Sequence, residues 1–140
     1  MSNRLIDSKV SMNSSATNSI STTLTPTPTL FATLGLNAIN AGPNLEVQFT
    51  VTATVSSIAS SPITIIVQRV VGGVPTTIYS VTTDSGDNST DLFTFNGVDV
   101  QPPATFLIYQ ALISAPTPPT PALTPIRVGP ESMIAAAYSD

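Results

Sequence analysis

Residues 45–55 read Leu-Glu-Val-Gln-Phe-Thr-Val-Thr-Ala-Thr-Val, and apolar and polar side chains alternate through the whole stretch. Successive side chains of a β-strand point to opposite faces, so this period of two predicts a strand with one apolar face and one threonine-rich face. Threonine suits the second face because β-branched hydroxyl side chains fit a solvated pleated surface. A strand this long needs a wide sheet and a second layer to cover its apolar side.

Further strands are predicted on both sides of this stretch. Apolar and β-branched runs are separated by Gly, Pro, Asn, Asp and Ser, and no segment shows a helical period with caps. Asn96-Gly97 is predicted to be a turn. The pattern indicates an all-β fold, a two-layer antiparallel β-sandwich that is most economically an eight-stranded jelly roll with an extended N-terminal arm. The predicted strands are residues 29–36, 45–55, 63–70, 76–83, 92–95, 104–114, 126–128 and 133–138.

The first 24 residues differ in composition from the rest of the chain. Ser, Asn and Thr dominate, so the segment cannot bury enough apolar surface to fold alone. Two prolines then favour an extended spacer. We predict a polar arm at 1–24, a hinge at 25–28 and a sandwich domain at 29–140. The arm is either a disordered tail or a strand added to the open sheet edge of a neighbouring subunit. The residues predicted to anchor it there are Leu5, Ile6, Val10, Met12 and Ile20.

Residues 104–114 form the longest apolar run and are apolar on both faces. Phe106, Ile108 and Leu112 point one way, and the opposite face consists of Leu107, Tyr109, Ala111 and Ile113. The outer face of a sandwich sheet is usually polar, so the second apolar face must be covered, either by the proline-rich segment 115–125 or by another subunit. We predict that the lateral-contact face consists of Leu107, Tyr109 and Ile113.

Composition excludes several classes of function. Only 9% of residues are charged, against about 25% in an average soluble domain, and four Lys and Arg in a chain of net charge −4 do not form a nucleic-acid footprint. The absence of Cys and His removes thiolate metal sites and the commonest general base. No apolar run approaches the ~18 residues of a membrane span. We therefore predict no enzyme activity, no catalytic residues, no cofactor, no metal and no small-molecule substrate.

One turn gathers three carboxylates, Asp84, Asp87 and Asp91. Closely spaced oxygen ligands can hold calcium, but the spacing does not match a calcium-binding loop. Asp and Gly are also ordinary turn formers. The prediction is a solvated hairpin loop, with calcium binding left open as the alternative.

The order of a polar arm, a short hinge and a Thr- and Val-rich sandwich resembles the subunits of bacterial endospore appendage fibres. The resemblance is architectural and extends over the whole chain. It implies a jelly-roll subunit that is made without a signal peptide and joined to the next subunit through its arm. Those arms carry cross-linking cysteines and this chain has none, so a fibre of it would rely on non-covalent contacts.

A charge-poor, Thr-rich surface does little to repel copies of itself. We therefore predict a structural subunit that self-assembles into an extracellular or cell- or spore-surface fibre, without a recognisable secretion signal. Its partners are copies of itself. A first alternative is a viral or phage coat, decoration or tail protein. An alternative from another class is a carbohydrate- or surface-binding β-sandwich module.

Overall fold

Antiparallel strands make up nearly all of the regular structure. The computed structural model describes residues 4–140, and the described chain contains one short 3-10 helix, Pro121–Leu123, and no α-helix. The strands are β1 Arg4–Ser14, β2 Thr22–Thr23, β3 Thr29–Asn37, β4 Glu46–Ser57, β5 Pro62–Val71, β6 Val74–Asp84, β7 Ser89–Val100, β8 Phe106–Ser114, β9 Ile126–Arg127 and β10 Glu131–Ser139.

Two sheets pack face to face. In the first sheet, β4 pairs with β7 on one side and with β10 and β9 on the other, and β1 and β2 lie beyond β10 and β9. The second sheet has the order β3-β8-β5-β6. When the eight long strands are counted along the chain, the sheets read 1-8-3-6 and 2-7-4-5. This is the strand order of a jelly roll, so the predicted fold is confirmed.

The alternating stretch at residues 45–55 lies at the centre of the first sheet. It forms most of β4, and its apolar positions are all buried in the core. Full burial of each large aliphatic side chain contributes about 1.5–3 kcal/mol. On the opposite face the Thr50 hydroxyl donates to Asn96 Oδ1 at 2.7 Å. The predicted alternation is therefore confirmed. The threonine face is not solvated throughout, because Thr54 is buried and its hydroxyl donates to the Pro130 carbonyl at 3.0 Å.

The predicted turn at Asn96-Gly97 is wrong, because both residues lie within β7. Asn96 pairs with Thr50 of β4, and Gly97 pairs with Phe49. The Phe49 ring covers Gly97 so closely that a Cβ at this position would collide with it. The glycine therefore allows the Phe49 ring to lie against the backbone of the neighbouring strand. Close approach of another group to the backbone is a common reason for a glycine inside a strand.

The predicted arm needs correction, because its segment Arg4–Ser14 is an edge strand of the chain's own sandwich. β1 pairs with β10 over its whole length, so the sandwich includes residues well before position 29. Residues 1–3 of the predicted arm lie outside the described residues. The composition of this strand resembles that of a polar tail because an edge strand needs few apolar residues. Backbone hydrogen bonds to β10 hold it on one side, and most of its side chains are exposed.

Side chains of β1 also bind the neighbouring edge of the second sheet. Asp7 Oδ2 accepts a hydrogen bond from the Asn37 amide at 2.9 Å, and Ser11 Oγ accepts one from the Thr33 amide at 3.2 Å. The Asn37 amide holds the pKa of Asp7 below its usual value. These contacts partly satisfy the unpaired amides of β3, which would otherwise leave an open sheet edge.

Candidate functional site

The outward side of the first sheet carries most of the exposed apolar surface. We call the outward positions of β1, β10, β4 and β7 the first outer face. In the described chain, twelve large hydrophobic residues are exposed, and seven of them lie on this face. These seven are Leu5, Val10, Met12, Leu92, Val98, Val100 and Ile134.

The first outer face is also almost free of charge. Among its outward positions in the described strands, Glu46 is the one charged residue, and it lies at the end where β4 pairs with Val100. The rest of the face is Thr, Ser, Gln, Asn, Ala, the partly exposed Tyr138 and the apolar residues named above. A shallow depression of about 390 Å³ occupies the centre, between Thr50, Ile134 and Val98. Desolvating this face would therefore bury very little charge.

The second sheet also presents an apolar outer face, but it is formed by other residues than those predicted. Leu107, Tyr109 and Ile113 are at most 1% exposed and belong to the core, so they do not form a lateral-contact face. Their neighbours Phe106, Ile108 and Leu112 point outward instead. Because both faces of this strand are apolar, its sequence alone could not decide which one points inward. The outward positions of this sheet form the second outer face.

The second outer face is also poor in charge. Outward positions of β5 extend the apolar surface of β8 through Ile66 and Val70, which pair with Leu112 and Ile108. Asp84, at the end of β6, is the one charged residue among the outward positions of these described strands. The proline-rich segment 115–125 lies against the β4–β5 connection at one end of the sandwich.

The five predicted anchor residues have three different environments. Leu5, Val10 and Met12 are more than half exposed and lie on the first outer face. Ile6 is partly buried against the core. Ile20 follows β1 in a loop, where its amide donates to the Val128 carbonyl at 3.5 Å. The sequence thus identified three members of the exposed apolar face but not its central residues on β10 and β7.

Two of the four cationic side chains are used inside the protein. Arg127 forms a bidentate pair with Glu131, with Nε donating to Oε2 at 2.6 Å and Nη2 donating to Oε1 at 2.7 Å. Asn13 of β1 donates to the same Oε1 at 2.6 Å. Glu131 is fully buried, and the guanidinium of Arg127 lies over the Phe31 ring. This cluster connects β1, β9 and β10 of the first sheet with β3 of the second.

A second buried cluster joins the two sheets near their other side. Arg69 of β5 donates to both carboxylate oxygens of Asp99 on β7, at 2.8 and 2.9 Å. The Tyr109 hydroxyl donates to Asp99 Oδ2 at 2.8 Å. Burial, followed by the neighbouring Asp99 carboxylate, raises the pKa of Tyr109 well above its usual value. The charged side chains inside the sandwich, Arg127 with Glu131 and Arg69 with Asp99, therefore form ion pairs that connect strands.

The three carboxylates of the β6–β7 turn do not converge on one point. Asp91 Oδ2 accepts hydrogen bonds from the Gly86 amide at 2.9 Å and the Ser89 hydroxyl at 2.8 Å, and the Gly86 amide lowers the pKa of Asp91. Asp87 Oδ1 accepts from the Ser60 amide at 2.7 Å. Within residues 4–140 no group of three or more His, Cys, Asp or Glu side chains is placed to hold a metal ion. Asp91 is bonded within the turn, whereas Asp87 is bonded to the β4–β5 connection. The predicted hairpin is wrong, because β6 belongs to the second sheet and β7 to the first, so this turn connects the two sheets.

The described chain has no helix that is both long and apolar enough to cross a membrane.

Two comparisons with solved structures have TM-scores above 0.5 and agree on the fold. The chain is similar to a structure of infectious bursal disease virus, Gx strain, with a TM-score of 0.58 and 12% identity over 97% of this chain and 32% of that chain. It is also similar to a structure of infectious bursal virus-derived T=1 particles, with a TM-score of 0.53 and 13% identity over 99% of this chain and 36% of that chain. A crystal structure of murine APRIL aligns with a TM-score of 0.48 and 10% identity over 93% of this chain and 99% of that chain.

At these identities the similarity establishes a jelly-roll β-sandwich and nothing finer. The chain spans about a third of the length of the viral chains that it matches. Neither a protein-family model nor a curated protein matches the sequence. The resemblance to endospore appendage subunits therefore has no support from a sequence family.

Proposed function

We propose that this protein is a structural subunit that assembles with copies of itself into a protein coat outside the cell. In this role it needs no catalytic group, cofactor or small-molecule substrate. Its partners are copies of the same chain.

The observation that carries this proposal is the distribution of charge and apolar surface. Each outer face of the sandwich has one charged residue among its outward strand positions, and the first outer face holds most of the exposed large hydrophobic side chains. Two of the four cationic side chains form ion pairs within the sandwich, Arg127 in a buried pair and Arg69 in a partly buried one. The exposed apolar side chains of the first outer face lie on β1 and β10 on one side and on β7 on the other, with the polar outward row of β4 between them. Charged surfaces normally keep soluble monomers apart, and these faces have almost no charge. Burial of both faces against neighbouring subunits accounts for this surface.

A coat is preferred to other assemblies because of the structures that share the fold. Two of the similar chains come from virus particles and have TM-scores above 0.5. Closed coats are built by repeating a small number of contacts between identical subunits, and each subunit then buries several of its surfaces. The two apolar faces of this chain suit that arrangement.

We expect the purified full-length protein to form closed particles or extended layers at neutral pH. The measurement is negative-stain electron microscopy together with sedimentation velocity over a concentration series. Assembly should persist at high salt, because apolar contacts are not screened by ions. A protein that remains monomeric at the highest concentrations, with a melting temperature raised by a glycan, would contradict the proposal and favour the binding module.

A fibre is the second candidate, and β1 is the observation that favours it. This strand lies at a sheet edge, and its large apolar side chains are exposed apart from the partly buried Ile6. Fourteen residues separate it from β3, and they include β2, which pairs with β9, and the buried Leu24. The cost of exchanging β1 between subunits is therefore low, because the same backbone hydrogen bonds form within or between chains. Repeated exchange in one direction gives an open filament.

For this candidate we expect removal of residues 1–14 to leave a folded domain that does not form filaments. A synthetic peptide of residues 4–14 should bind the truncated protein, because the hydrogen-bonding edge of β10 is then free. A matched control is the peptide with Asn13→Ala, which lacks the side chain that reaches the buried Glu131 and should bind more weakly. Filaments formed by the truncated protein would contradict strand exchange.

A further inference from the structure

We propose that the first outer face is a two-fold contact surface, on which the same face of a second copy of this chain docks. This inference rests on the proposed self-assembly and specifies which surface is used and what covers it.

The size of the face matches what a stable dimer needs. Four strands about 4.8 Å apart and about ten residues long at 3.4 Å per residue give a footprint of roughly 650 Å². Two such faces together bury roughly 1,300 Å², which lies within the range of specific protein interfaces. Two copies packed through their whole first outer faces would therefore bury enough area for a stable dimer, whereas contact through a single strand edge would bury much less.

The chemistry of the face also suits a copy of itself. Its centre, where Ile134 pairs with Thr50, carries no charge in the described strands, and Glu46 lies at one end. Two copies can therefore meet without opposing like charges at the centre of the contact.

The first outer face has both a depression and projecting apolar side chains, so its shape can complement a second copy of the same face. Ile134 and Val98 line the central depression, and the exposed Val10 pairs with Ile134 on the β1 side. A two-fold contact uses one patch twice, so each projecting group of one copy meets the depression region of the other. The second outer face is less suited to this role, because most of its apolar side chains are already half covered by their neighbours.

The test compares two isoleucines of similar exposure. Ile134 is 50% exposed at the centre of the face, and Ile58 is 57% exposed in the β4–β5 connection, away from it. We expect Ile134→Lys to raise the dissociation constant of the dimer on the order of 100-fold, because an unpaired charge would be buried in both copies. Ile58→Lys should leave it unchanged. Sedimentation equilibrium measures both, and circular dichroism confirms that the variants are folded.

A second measurement identifies what covers the face. The natural chain has no cysteine, so Ile134→Cys and Ile58→Cys each carry one unique thiol. A bismaleimide spanning the ~10 Å between stacked sheets should link two Ile134→Cys chains rapidly and two Ile58→Cys chains slowly. Association of Ile134→Cys without this cross-link would overturn the same-face contact.

The outcomes separate this inference from the proposed function. If the natural protein assembles and Ile134→Lys assembles equally well, the face is not the contact, and self-assembly stands through other surfaces. If the natural protein is monomeric at all concentrations, both the contact and the proposed function are overturned.

Discussion

Replacing Glu131 with alanine is expected to lower the free energy of unfolding by about 3–5 kcal/mol. The Glu131 carboxylate is fully buried and accepts hydrogen bonds from Arg127 Nε, Arg127 Nη2 and Asn13 Nδ2. Its removal leaves the guanidinium of Arg127, which is 7% exposed, as an uncompensated buried charge. Chemical denaturation followed by circular dichroism measures the change at a concentration where the protein is dissociated.

Glu46 is the matched control, because it and Glu131 are the only glutamates in the chain. Glu46 lies on the outward side of β4, so Glu46→Ala should change the free energy of unfolding by about 0.5 kcal/mol or less. The double variant Arg127→Met/Glu131→Leu should recover much of the loss, since a buried ion pair is often replaced by apolar residues at little cost. A Glu131→Ala variant as stable as Glu46→Ala would show that Arg127 finds other partners.

The fold followed from the sequence because alternation in β4 and the spacing of the turns both depend on local pattern. Two details did not follow, for different physical reasons. β1 is an edge strand held by backbone hydrogen bonds, so it needs no apolar period and reads as a polar tail. Asn96-Gly97 has the composition of a turn, but Gly97 is required beside the Phe49 ring, a contact between positions far apart in sequence.

The candidate surface was predicted only in part, because the inward face of a strand depends on its partners. In β8 both faces are apolar, and the Tyr109 hydroxyl points inward to Asp99, a residue that sequence does not pair with it. The first outer face combines four strands that are remote in the chain, so its apolar character appears only when β1, β10, β4 and β7 are placed side by side. The sequence of the N-terminal segment identified Leu5, Val10 and Met12, but it could not show which strands lie beside them.

Replacing Asp99 with alanine is the second change expected to have a large effect, about 3–5 kcal/mol in the free energy of unfolding. Asp99 accepts two hydrogen bonds from Arg69 and one from the buried Tyr109 hydroxyl, so its loss leaves two donors without their acceptor. Arg69 is 20% exposed and gains some water, which places the expected value toward the lower end of this range. Asp84→Ala, at the exposed end of β6, is the control and should be nearly neutral.

The Tyr109→Phe variant separates the hydroxyl from the rest of this cluster through its pH dependence. The folded-state pKa of Tyr109 is raised above the value of about 10 in the unfolded chain, so the folded protein keeps this proton at pH values where the unfolded chain loses it. Stability from the hydroxyl is therefore complete below pH ~10 and falls as the pH rises above it, by up to about 1.4 kcal/mol per pH unit. Tyr109→Phe should cost about 1–3 kcal/mol at pH 7 and progressively less above pH ~10. Because the other two tyrosines are common to both proteins, their titration cancels in the difference. A constant difference between pH 7 and pH 11 would show that burial and Asp99 together do not raise the pKa of Tyr109 in the folded protein.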